Sequence, residues 1–204
     1  MTSVSVPAGR LPRWVANFAA RHEGVSLVVV DGQLRGTAPD GSTFAATLPF
    51  DAAYDGQADA DAFAAAAAAP PMWGVLIVRK GGFAVARLAG ADLAEHKIGQ
   101  RHVQGRTKAG GQSQQRFARR RDNQARAAYQ AAAEHAARIL RPGPLVTGGD
   151  RSAVEDVLTD ARLTRLTVVE PWLAVPDPKR QVLDQAILDA QAIRVDVTNA
   201  GQRI

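Results

Sequence analysis

Residues Gly105 to Arg121 read GRTKAGGQSQQRFARRR, a basic loop that passes through Gly110-Gly111-Gln112 into a helix crowded with arginine. Two adjacent glycines permit positive φ and let the backbone come close to another molecule. The helix that follows opens with N–H groups that lack intrahelical partners, and these attract anions or developing negative charge. The stretch has the make-up of a device that presents a glutamine to a site on a nucleic acid.

Downstream, the periodicity from Ser113 to about Leu140 fits one long helix. Phe117, Ala125, Ala128, Ala132, Ala136 and Ile139 fall in one arc; Arg116, Arg119, Arg120, Asn123 and Arg126 fall in the opposite arc. An apolar stripe made mainly of alanine allows close packing on a sheet. Arg121 lies in the apolar arc, where it either braces the loop or snorkels past the sheet edge. From Lys97 to Arg141 there are eleven Lys/Arg against two Asp/Glu. Subtracting these from totals of 25 and 20 leaves fourteen basic and eighteen acidic residues in the remainder, so this segment supplies the whole net charge of +5. Charge concentrated in this way is an electrostatic footprint for phosphates; the bland alternative is a solvated helix face. The cations expected on phosphates are Lys97, Arg101, Arg106, Lys108, Arg116, Arg119, Arg120 and Arg126.

Upstream of the loop, MWGVLIV from Met72 is a buried-strand run, and FAVARLA after Lys80-Gly81-Gly82 is a second strand. LAEHKIGQRHV, about Leu93 to Val103, is a third strand, polar enough for a sheet edge. Beyond the helix, Arg141-Pro-Gly-Pro144 stops it, and Leu145 to Thr147 is a strand. Gly148-Gly149-Asp150 then leads into a helix with Ser152 and Glu155 spaced as a capping box. That strand-Gly-Gly-helix run has neither the lysine of a Walker motif nor dinucleotide spacing, and reads as a tight connection. Leu166 to Val169 is another strand, ended by Pro171-Trp172. Val182 to Ala190 forms a last helix and Ile193 to Val197 a last strand. The alternation implies an α/β fold, a mixed β-sheet flanked by helices, over residues 72–204.

Residues 1–50 read as a small α+β subdomain. A helix runs from Leu11 to His22 with Pro12 in its first turn, followed by strands at Val25 to Val30, Leu34 to Thr37 and Thr43 to Leu48. Asp31-Gly32 is a hairpin signal. Residues 51–71, acidic and alanine-rich, read as a linker with a short helix near Asp59 to Ala68. Cysteine is absent, which excludes disulfides and thiol catalysis, and the four histidines show no metal-ligand spacing. No apolar run reaches the ~18 to 20 residues of a membrane span, and no signal peptide opens the chain. A cytoplasmic protein, monomeric in isolation, is expected.

Gly-Gly-Gln alone is weak evidence, since it arises by chance in roughly one chain in thirty of this length. The wider pattern Gly110-Gly111-Gln112-Ser113-x-x-Arg116-Phe117-Ala118-Arg119-x-Arg121 resembles the central domain of eukaryotic and archaeal class I peptide-release factors. In that family a GGQ loop precedes a helix opening S-x-x-R-F-A-R-x-R. The chain is also similar to the actinobacterial branch of the stand-alone Vms-like release-factor proteins, over about residues 72–200. The resemblance implies hydrolysis of the ester joining nascent peptide to tRNA in the peptidyl-transferase centre of the large ribosomal subunit. Gln112 would be the catalytic glutamine and Gly110 and Gly111 its hinge. Peptidyl-tRNA and rRNA would be the partners, with no cofactor, metal or membrane. Ala109 stands where the family has glycine or a basic residue. Separate codon-reading and partner-binding domains have no room here, so a codon-independent ribosome-rescue role is expected. Two other readings stay open: an endonuclease that cuts tRNA near its CCA end, with His102 or else His96 as base, and a non-catalytic RNA-binding module.

Overall fold

The computed structural model describes residues 1–80, 82–100 and 112–201, which form two compact units: residues 1–69 with 188–204, and residues 70–187.

In the first unit, helix α1 (Leu11–Arg21) carries Pro12 in its first turn and buries Leu11, Val15 and Phe18. Strands β2 (Ser26–Val30) and β3 (Gln33–Thr37) form the expected hairpin. Asp31 and Gly32 at its tip both have positive φ, 52° and 74°, which matches the twist of the flanking strands. Strand β4 (Thr43–Thr47) pairs with β3. One strand was not legible beforehand: β1 (Thr2–Val6) pairs antiparallel with the C-terminal strand β10 (Ile193–Thr198), and the sheet runs β1-β10-β4-β3-β2.

Two boundaries therefore differ from expectation. The last strand does not close the domain expected over 72–204; it lies between β1 and β4, with Ile193 and Val195 fully buried in the first unit's core. Alternation predicts a half-buried strand there but carries no information about which sheet receives it. Nor is 51–71 a linker. Helix α2 (Ala60–Ala65) is capped by Asp59, whose carboxylate accepts the Ala62 N–H at 2.9 Å. The Tyr54 and Phe63 rings meet edge to face at 4.8 Å inside the same core. Two aromatic anchors make this alanine-rich stretch part of the fold.

The second unit holds the expected mixed sheet, in the order β7-β6-β5-β8-β9. Strands β5 (Trp73–Arg79), β6 (Gly82–Ala89) and β7 (Asp92–Gln100) form an antiparallel meander. Helix α3 (Gln112–Ile139) leads to β8 (Gly143–Gly149), which returns parallel to β5. Helix α4 (Arg151–Leu158) leads to β9 (Leu166–Leu173), parallel to β8. Helix α5 (Arg180–Ala190) follows. β5 is central and buried through Val78, as an unbroken apolar run demands, and the more polar β7 takes an edge. Strand β9 continues through Pro171 rather than stopping at Val169; on an edge the missing N–H costs no ladder bond. The capping box does not form. Asp150, not Ser152, is the N-cap of α4, and its carboxylate accepts the Lys80 N–H at 3.3 Å instead of capping the helix.

Candidate nucleic-acid interface

The elements that frame the loop are built to hold its ends. Edge strand β7 delivers the chain to residue 100 and α3 receives it at Gln112. Near the end of β7, Gly99 lies flat on the Phe83 ring, where any Cβ would overlap the aromatic carbons. Gly99 therefore leaves room for the Phe83 ring to lie across the β7 backbone.

The expected alanine stripe on α3 is present wherever its side chains are described. Ala128, Ala132, Ala136 and Ile139 are buried, the last three in the core with Phe83, Val85, Leu76 and Val78. Small residues let the helix axis approach the sheet closely, and the C-terminal half of α3 is thereby fixed. Further contacts add to this. Arg138 pairs with Glu95 of β7 at 3.0 Å, and Glu95 also faces Arg87 of β6 at 3.5 Å. Arg141 donates to the carbonyls of Arg138, Ile139 and Leu140, satisfying acceptors that the helix end leaves free. The His135 ring stacks on Phe83 at 5.6 Å. Burial, followed by the charges of Lys97 and Arg138, lowers the His135 pKa.

Of the cations expected on phosphates, Lys97 on β7 and Arg126 on α3 are exposed. Arg116, Arg119 and Arg120 belong to α3, as does Arg121, but their side chains lie outside the described part of the protein. Arg101, His102, Arg106, Lys108, Gly110 and Gly111 lie outside the described residues altogether. Gln112 is the first residue of α3. His96 is exposed on β7, with its Nε2 3.2 Å from Arg180 Nη1. Of the four cations in the basic segment whose side chains are described, Arg138 and Arg141 are occupied within the fold, a distinction that charge counting cannot make.

The Gly148-Gly149 turn is explained by packing alone. A Cβ on Gly148 would stand 2.5 Å from the Leu173 carbonyl oxygen. Gly149 has φ 96° and would collide with the Val78 carbonyl. An open cleft of about 690 Å³ lies beside this turn, with Tyr129 of α3 in its wall. Arg79 there faces Asp150 at 3.8 Å and Asp177 at 3.4 Å and donates to the Val175 carbonyl at 2.7 Å. Arg151 sits 4.3 Å over the Trp172 ring. Arg79 is thus held by carboxylates and Arg151 by a ring, while Lys80 also lines the cleft. Burial, with Asp150 and Asp156 nearby, raises the Tyr129 pKa.

Among the described residues, no three His, Asp or Glu side chains group as metal ligands, and no helix is long and apolar enough to cross a membrane. A family model described as Actinobacteria/chloroflexi VLRF1 release factor matches residues 71–196, which takes in the second unit and reaches into β10. No curated protein matches the chain.

Proposed function

The chain belongs to the Actinobacteria/chloroflexi VLRF1 release factor family, and on that premise we propose that it hydrolyses peptidyl-tRNA without reading a codon, on stalled ribosomes or large subunits. Family membership gives a release-factor-like role and implies interaction with the ribosome. The observation that best supports the finer reading is the start of α3 at Gln112, directly after Gly110-Gly111. A glutamine at the first position of a long helix has a backbone N–H with no intrahelical partner.

In the reaction, water attacks the carbonyl carbon of the ester that links the peptide to the tRNA 3′-oxygen. The carbonyl oxygen takes up negative charge, the C–O bond to the ribose breaks, and the 3′-oxygen leaves with a proton. The Gln112 N–H stabilises the developing oxyanion or the leaving oxygen, while its side chain orients the water. The terminal ribose hydroxyl of the tRNA relays the proton, so no protein base is required. The exposed cations Lys97 and Arg126, with Arg101, Arg106, Lys108, Arg116, Arg119 and Arg120, neutralise RNA phosphates.

The test supplies ribosome-bound peptidyl-tRNA and follows both products. Free peptide and tRNA with an intact CCA end are expected. Gln112→Ala, which keeps the backbone N–H but removes the side chain that orients the water, should slow release. Gln112→Pro, which also removes the N–H, should lose ~10²- to 10³-fold more, the usual loss for one such donor. Peptide carrying CCA nucleotides would mean endonuclease action. A Gln112→Ala variant as active as wild type would leave the Gln112 side chain without a catalytic part, and an equally active Gln112→Pro would leave its N–H without one.

A further inference from the structure

We propose that α1 is a second RNA-docking element, in which Arg10, Arg13 and Arg21 form a stripe that seats on the phosphate backbone of ribosomal RNA. This rests on the reading that the chain works on the ribosome, and it gives the first unit a task. At 100° per residue, Arg10, Arg13, Asn17 and Arg21 fall within an arc of about 80°, and Arg10 to Arg21 spans roughly 16 Å of helix axis. All four are exposed. The opposite side of α1, with Leu11, Val15 and Phe18, is buried in the first unit's core.

Two of these charges, Arg10 and Arg13, are placed against the interest of the fold, while Arg21 sits in the last turn, where a cation is favoured. Arg10 is the N-cap and Arg13 lies in the first turn, which contains no acidic residue. That end of a helix carries partial positive charge and favours carboxylates, so two cations there destabilise it. Arg10 and Arg13 are also three residues apart, where like charges repel. Nothing inside the fold compensates. Among the described residues none of the three makes an ion pair or side-chain hydrogen bond, whereas Arg35, Arg138 and Arg180 each face a carboxylate. In residues 1–69 the only other basic residue is Arg35, and all seven acidic residues lie outside α1. An electrostatic cost without structural return is a mark of function. The chemistry that answers a rigid row of unpaired guanidinium groups is a row of phosphates. A bilayer is disfavoured, because the apolar face that would enter it is already buried in the protein core. Ribosomal RNA is favoured over tRNA, since the large subunit offers far more duplex backbone than the one tRNA whose acceptor end the loop would address.

The experiment measures binding of the full chain to purified large subunits between 50 and 200 mM salt. It compares wild type, the triple variant R10Q/R13Q/R21Q, and a charge-matched control, R35Q/R162Q/R194Q. Three lost phosphate contacts should flatten the salt dependence, so that the fourfold salt rise costs wild type roughly 20- to 40-fold more affinity than the triple variant. Its thermal midpoint should stay close to that of wild type, because relief of the repulsion at the helix start offsets the loss of Arg21 from the last turn. A triple variant that tracks the control in affinity and slope would overturn the inference. So would a loss equally large on free tRNA, or one seen only on phosphatidylserine vesicles. The failures are separable: wild type that binds subunits but releases no peptide sinks the hydrolase reading alone, and wild type that does not bind sinks both.

Discussion

Replacing Gly149 by alanine separates a structural turn from a ligand loop. The residue has φ 96°, a region that costs an L-residue about 1–2 kcal/mol. Its new Cβ would press on the Val78 carbonyl oxygen, with Arg79 Cγ also at 3.0 Å. That carbonyl cannot yield freely. It accepts the Asp150 N–H at 2.8 Å, and Val78 pairs with Gly149 where β5 meets β8. Overpacking of this kind costs about 1–3 kcal/mol more. The expected loss is about 2–5 kcal/mol, which lowers the midpoint of a unit this size by roughly 10 °C or more. Urea titration followed by circular dichroism measures it, with peptide release assayed at a temperature where the variant remains folded. Release per folded molecule should be unchanged. A variant within about 0.5 kcal/mol of wild type that lost release would refute the packing explanation and make Gly148-Gly149 a ligand loop.

Phe63→Ala should destabilise the first unit by about 3–5 kcal/mol, because the ring is fully buried against Tyr54; denaturant titration reads this directly. Burial, then Lys97 and Arg138, lower the His135 pKa, so the unfolded chain binds more protons just below pH 6.5 than the folded one. Stability should therefore be full above pH 6.5 and fall as the pH drops through the window below it, and His135→Gln should flatten that slope in thermal melts. Lys97→Gln with Arg126→Gln should reduce the log–log salt slope of RNA binding by about one to two units, with little effect on the melting midpoint.

The sequence carried the elements well, because the signals that define them are local. Asp31-Gly32 demanded a hairpin, the apolar run at Met72 a buried strand, and the polar run at Leu93 suited an edge. What it did not carry was non-local pairing. Thr2–Val6 alternates too weakly to announce a strand until β10 is beside it, and β10 reads the same whichever sheet accepts it. Alanine also misled: 51–71 has the composition of a spacer, but Tyr54 and Phe63 are enough to fix it in a core. The capping box failed for a related reason. Ser152 and Glu155 have the right spacing, but the strand-to-helix turn is so tight that Asp150 already occupies the cap position, with Arg79 at 3.8 Å.

The basic segment was legible as charge but not as division of labour, and that division follows from what each cation faces. Arg138 and Arg141 serve the end of α3 that meets the sheet, where a carboxylate and three carbonyls receive them. Lys97 and Arg126 face solvent. The described anchoring of α3 runs from Ala128 to Leu140, and Gln112 opens the same helix sixteen positions before Ala128, roughly 24 Å along its axis. This geometry, with one end of a long helix fixed by alanine packing, suits the proposed presentation of Gln112 to a partner. The strand that feeds the loop suits the same purpose. At an edge, β7 is paired with β6 only.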